Sequence, residues 1–105
     1  MLLGGCGGKS TEHWLAQLRD KDSAQRLRAI KALAEKRSEA SKVVPALTEA
    51  LADRDAFVRR DAARALGRFG PAAASAVPAL RVALRDRNQH VRQAALDAIR
   101  KVERQ

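Results

Sequence analysis

A spacing of 33 residues recurs along this chain. Asp20, Asp53 and Asp86 keep it, as do Leu18, Leu51 and Leu84, then Arg26, Arg59 and Arg92, then Ala29, Ala62 and Ala95. The string Val44-Pro45-Ala46-Leu47 returns unchanged as Val77-Pro78-Ala79-Leu80. A fixed period of this size means one supersecondary unit repeated and stacked, each copy burying its apolar face only against its neighbours. It also moves the question of function from a closed pocket to an extended surface.

Within the period the apolar pattern is helical. Val58, Ala62, Ala65, Leu66 and Phe69 fall on one face at helical spacing, and Val91, Ala95, Ala98, Ile99 and Val102 repeat that face one period later. Val44, Leu47, Leu51 and Val77, Leu80, Leu84 mark the helix before each. Asp22, Asp55 and Asn88 precede the second helices, where a short oxygen-bearing side chain accepts from free backbone N–H groups. Pro45 and Pro78 belong near the starts of the first helices, where a missing N–H costs least. No window alternates with period two over a strand length. The expectation is an all-α solenoid of three helical pairs, with helices near 11–19, 23–36, 42–52, 56–69, 73–85 and 89–103. The domains are a flexible Gly-rich segment over 1–9 and a repeat domain over 10–105, its repeats near 10–37, 38–70 and 71–105.

Composition fits that frame. Alanine fills the core, with 22 of 105 residues, and its small side chain lets helix axes approach closely. Only three residues are aromatic, Trp14, Phe57 and Phe69, and all three fall at core or end-cap positions of the pattern. The formal charge is +9, which favours acidic proteins, anionic lipid surfaces or nucleic acid as partners. Cys6 is the single cysteine, so the chain forms no intramolecular disulfide.

Ala76-Val77-Pro78-Ala79-Leu80 and Asp86-Arg87-Asn88-Gln89-His90-Val91-Arg92-Gln93-Ala94-Ala95 resemble HEAT repeats of the short, phycobilisome-lyase-like type. The likeness covers about residues 12–103. The first copy departs from it: Gln25 stands where Val58 and Val91 do, and Leu27 replaces Arg60 and Gln93, as suits an end unit with one side in water. The resemblance implies a ladder along the turns, in which each turn Asp takes hydrogen bonds from backbone and from Arg of its own or the adjacent repeat. Its members here are Asp20 and Arg26, Asp53 and Arg59, and Asp86 and Arg92. A planar guanidinium suits such a fork of charge-assisted bonds. The family is a set of interaction scaffolds, some of which bind or act on DNA, so no activity follows from the fold alone.

In such stacks the second helices line the concave side. Their outer positions are Leu27, Lys31 and Glu35, then Arg60, Arg64 and Arg68, then Gln93, Asp97 and Lys101. Only the central row is purely basic. The expected partner-binding residues are therefore Lys31, Arg60, Arg64, Arg68, Gln93, Asp97 and Lys101, and the expected partner is an acidic protein. The alternative is a helical-repeat module that binds nucleic acid through its phosphate backbone. A continuous basic track with stacking rings would favour that alternative, and Asp97 interrupts the track. An enzyme-associated lyase or base-excision domain would require a polar-aromatic pocket that Ala-rich repeats do not offer. The sequence thus reads as a non-enzymatic scaffold with no catalytic residue, cofactor or metal.

Two short motifs stand outside the repeats. Gly8-Lys9-Ser10-Thr11 mimics a phosphate-binding loop, but Leu3 stands where the first glycine of that signature belongs, and no strand precedes it. Leu3-Gly4-Gly5-Cys6 resembles a bacterial lipoprotein signal box, with Cys6 as the lipid acceptor. Only five residues precede Cys6, without the basic start and apolar stretch a signal needs. Either a start lies upstream, which puts the protein at the bacterial cell envelope on an anionic membrane surface, or the match is chance and the protein is cytoplasmic. His13 and His90 lie at opposite ends of the stack without a second ligand nearby in sequence.

Overall fold

The computed structural model describes residues 8–104. Its regular elements are all helical: α1 (Thr11–Gln17), α2 (Ser23–Leu33), α3 (Ala40–Ala50), α4 (Ala56–Phe69), α5 (Val77–Ala83) and α6 (Gln89–Glu103), with 3₁₀ turns at Arg37–Glu39 and Gly70–Ala76. They form three pairs, α1 with α2, α3 with α4, and α5 with α6, and α4 lies between α2 and α6. The Cα atoms fill a slab of 48 × 34 × 16 Å. This is an α-solenoid, in which contacts run between neighbouring repeats.

Caps set the starts of the second helices. The Asp22 carboxylate accepts from the Ala24 N–H at 2.9 Å, Asp55 from the Phe57 N–H at 2.7 Å, and the Asn88 carbonyl from the His90 N–H at 2.8 Å. Ser10 does the same for α1, accepting from the His13 N–H at 3.1 Å. Each cap satisfies a donor that the first helical turn leaves free.

α1 and α2 end at Gln17 and Leu33, short of the expected 19 and 36, and α3 and α5 depart at their starts, where proline is the reason. Residues 73–76, expected inside a helix over 73–85, form a 3₁₀ turn instead, and α5 starts only at Val77 with Pro78 in its first turn. Pro71 and the off-helix Ala73 (φ −98°, ψ 19°) delay that start. Gly70 closes α4 at φ 59°, a left-handed conformation that favours glycine. Pro45, expected near a helix start, sits inside α3, which begins at Ala40 rather than at residue 42. There it leaves the Ser41 carbonyl without its i+4 donor.

The main hydrophobic core runs through the stack from Ile30 in α2 to Val102 in α6, and Ala83, Val91 and Ala95 form a smaller cluster between α5 and α6. Ile30, Leu33, Val43, Leu47, Val58, Leu66, Leu80 and Val91 are fully buried. Trp14, Leu15 and Leu18 pack on its N-terminal end and are half-buried. The tightest approach is between α4 and α6: a Cβ on Gly67 would lie 3.2 Å from the Ala98 Cα. Small residues there bring the two axes together.

Candidate partner-binding face and turn ladder

The turns that join the two helices of each pair lie along one edge, and each presents an aspartate. Asp20, Asp53 and Asp86 accept from the backbone N–H two residues on, at 2.8–2.9 Å, which closes the turn. Arg26 donates from Nη1 to the Asp20 carbonyl at 2.8 Å, and its Nε and Nη2 hold the Asp53 carboxylate at 2.9 and 3.0 Å. Arg59 repeats the pattern, to the Asp53 carbonyl at 2.8 Å and to Asp86 at 2.8 and 3.1 Å. Each guanidinium therefore ties its own turn to the turn of the next repeat. The resemblance left the choice between own and adjacent carboxylate open, and the fork goes to the adjacent one. Arg26 and Arg59 are buried, at 4% and 7% exposure. Arg92 makes the bond to the Asp86 carbonyl at 2.8 Å, but it is exposed and has no carboxylate in its fork among the described residues.

Burial by itself raises the Asp53 and Asp86 carboxyl pKa. The forks from Arg26 and Arg59, the backbone donors at Asp55 and Asn88, and the nearby Arg54 and Arg87 outweigh it, so both lie below the usual carboxylate value. The Asp53 hydrogen bonds correspondingly raise Arg26. The carboxylates are thus ionised and neutralised where they stand. Their chemistry is that of fixed anions in bidentate pairs, not of proton donors.

The central row of the second helices lies over a groove between α2 and α4. Lys31, Glu35, Arg60, Asp61, Arg64 and Arg68 line it, with Ile30, Ala34 and Ala65 beneath. The row is not free. Arg60 donates to Asp61 at 3.0 Å, Arg64 lies 4.0 Å from the same carboxylate, and Arg68 pairs with Glu35 at 2.8 Å. Of these, Asp61 is the residue that sequence reasoning missed. It sits one place along from Arg60, too close in sequence to look like a facing partner, yet it sits within the groove. Gln93 donates to Asp97 at 3.1 Å on α6, and Lys101 is exposed beyond them. Lys31, Arg60, Arg64 and Arg68 thus share one groove, while Gln93, Asp97 and Lys101 belong to the next helix along.

Phe57 corrects one expectation. The pattern put it at a core or cap position, but it is 58% exposed, and the Arg60 guanidinium lies 5.1 Å from its ring centroid. It is the second residue of α4, ahead of the turn from which the apolar stripe becomes continuous. A second groove runs between α3 and α5, where Arg54, Arg81, Arg85 and Arg87 surround Leu51, Ala83 and the exposed Val82. Cys6 lies outside the described residues, as do Leu3, Gly4 and Gly5. Among the described residues no helix is long and apolar enough to cross a membrane.

Comparison with known proteins follows the same lines. The family described as HEAT repeats matches residues 11–100. A search of curated proteins finds no match. Among solved structures, the chain superposes on the complex of CpcE and CpcF of phycocyanin lyase from Nostoc sp. PCC7120 with a TM-score of 0.78 and 32% sequence identity. The match covers 97% of this chain and 40% of that one, so the chain spans less than half of the protein it resembles. This overturns the expectation of a non-enzymatic chain: the same repeats, at this identity, occur within an enzyme assembly, and the absence of a polar-aromatic pocket is no argument against one. With helical pairs at a 33-residue period, an Asp–Arg chain of bonds along the turns, and a family match over 90 of the 105 residues (11–100), the chain belongs to the HEAT-repeat family.

Proposed function

We propose that the chain is a protein-binding HEAT-repeat module that takes an acidic segment of its partner along the face of α2, α4 and α6. The observation that carries this reading is the groove in which four cations, Lys31, Arg60, Arg64 and Arg68, share two carboxylates, Asp61 and Glu35. Glu35 is exposed, so an incoming carboxylate displaces it from Arg68 at little cost. Asp61 is mostly covered and stays, holding Arg60 and Arg64 in place for the partner. The likeness to a complex of two lyase proteins supports an enzyme assembly as the setting for this contact.

The exposed Phe57 under Arg60 favours the nucleic-acid reading in one respect, because it offers a base a stacking surface. Against it, the basic row is confined to α4 and interrupted by Asp97 on α6, so it forms no continuous track along the stack for a phosphate backbone. The test is a titration of a fluorescent oligoglutamate peptide and of a DNA duplex at physiological salt. Replacing Arg60, Arg64 and Arg68 together by Ala abolishes peptide binding and leaves the melting curve intact. Replacing Arg81, Arg85 and Arg87 does less. DNA binds weakly with steep salt dependence, because counterion release drives it. Tight, sequence-selective DNA binding would transfer the site to the nucleic-acid reading.

A lipid anchor at Cys6 is a separate proposal that rests on residues 3–6 alone. It places the native product in the membrane fraction and releases it on Cys6→Ala. Mass spectrometry showing an unmodified Cys6 in the host's soluble fraction would end it.

A further inference from the structure

The repeats supply their own control for the face of the second helices. Where α4 carries Phe57, Arg60 and Asp61, the first repeat has Ala24, Leu27 and Arg28, and the third has His90, Gln93 and Ala94. None of the three is kept in either neighbour, so the packing that all repeats share does not require them. They also touch one another. The Arg60 guanidinium lies 5.1 Å from the Phe57 ring centroid and donates from Nε to Asp61 at 3.0 Å. A ring and a carboxylate thus hold a planar cation in one pose. Among the described residues no hydrogen bond engages its two terminal nitrogens, an edge that fits a carboxylate at two points.

The ring departs from the other large rings of the chain. Phe69 is buried and Trp14 half-buried, whereas Phe57 leaves more than half of its surface in water. α4 has α2 on one side and α6 on the other, so the ring is exposed within a junction that is complete on both sides. Covering it with an apolar side chain is favourable. The groove between α2 and α4 runs on from it, with Arg60, Arg64 and Arg68 following at intervals of three and four along α4. From Phe57 to Arg68 the helix rises about 16 Å, at about 1.5 Å per residue. An extended segment at about 3.3 Å per residue spans that length in about five residues.

We infer that Phe57 and Arg60 form an anchor subsite at the turn end of this groove, which takes a large apolar side chain adjoining a carboxylate of the partner. The inference rests on the acidic-segment reading and narrows it: the partner presents a short acidic stretch with an apolar residue at one end, not acid alone. That residue packs on the exposed ring, and the neighbouring carboxylate takes the terminal nitrogens of Arg60. A peptide is favoured over a strand of nucleic acid because the basic row stops at α4. On α6, Gln93 and Asp97 stand in place of Arg60 and Arg64.

The test titrates the full chain at physiological salt with three fluorescent peptides: octaglutamate, and octaglutamate with Phe in place of its first or of its last residue. Both placements are used because either chain direction fits along α4. The better Phe peptide binds at least about fivefold more tightly than octaglutamate, since ring contact adds to charge. Phe57→Ala brings that ratio below about twofold. Val82→Ala, at the other exposed large apolar side chain, leaves the ratio intact. A ratio that survives Phe57→Ala, or no gain from Phe at either end, overturns the inference and leaves the acidic-segment reading standing. If none of the three peptides binds, that reading falls and this one with it. Octathymidylate that binds more tightly than the Phe peptides, and loses its affinity on Phe57→Ala, would give the ring to a base and overturn the inference as well.

Discussion

At the scale of single residues, the three aspartates at one spacing are not equivalent. Asp53 and Asp86 each fill the fork of a buried arginine, whereas the Asp20 carboxylate accepts only its own turn's N–H among the described residues. Asp53→Ala removes the anion facing Arg26, whose side chain is 5% exposed, and we expect a loss of about 1–3 kcal/mol in chemical denaturation. Asp20→Ala should cost less than half of that. Equal losses would mean that the turn bond, not the fork, carries the energy. The same pairs set a pH dependence. The Asp53 and Asp86 pKa values are lowered on folding, so their contribution is fully present above the unfolded value of about 4 and is lost as pH falls through the lower folded values. Stability followed from pH 6 to pH 2 should drop below about pH 4, and Asp53→Asn should flatten the drop. The sequence located these residues by their period alone. It could not say which carboxylate each arginine takes, because a spacing of six is compatible with both directions of reach.

At the scale of elements, α4 and α6 were legible to the residue, while α2 ends at Leu33 rather than at residue 36 and the first helices also depart. α4 and α6 run over the expected 56–69 and 89–103, since an oxygen cap and a continuous apolar stripe mark them. α3 and α5 share one string, Val-Pro-Ala-Leu, yet the four residues before it differ in structure, helical over 40–43 and 3₁₀ over 73–76. The difference comes from the flanks, Gly70-Pro71 in one and Ser38-Glu39 in the other, where Glu39 also accepts a hydrogen bond from the Thr11 hydroxyl. Gly67 shows the same limit. The expected helix over 56–69 contains it, but only the structure shows that it lies against Ala98 of α6. On an open helix Gly→Ala gains about 1 kcal/mol. Here the new Cβ would lie 3.2 Å from the Ala98 Cα, backbone that cannot step aside. Overpacking of about 1–3 kcal/mol outweighs the gain. We expect Gly67→Ala to lower the melting temperature; a rise would show that α6 can shift outward freely.

At the scale of the whole molecule, stability is a property of the stack. Ile30, Leu33 and Ala34 of the first repeat belong to the same core as Leu66 and Val102 of the second and third. A fragment of residues 38–105 loses that cover and the Arg26 fork on Asp53 together. With two repeats left it should not unfold cooperatively by circular dichroism. A sharp transition close to that of the full chain would show that the repeats are independent.

The sequence by itself determined the period, the helical character of each unit, the caps and the residues of the turn ladder. These are local or periodic features, written in spacing and side-chain type. Only the tertiary structure decided that the Arg26 and Arg59 guanidinium groups reach forward to the next repeat, that Asp61 shares the groove with Arg60 and Arg64, and that Phe57 stands in solvent. Each of these depends on which neighbour a side chain meets across the stack. A repeat makes successive copies look alike in sequence, while packing gives the first, the inner and the last copy different neighbours.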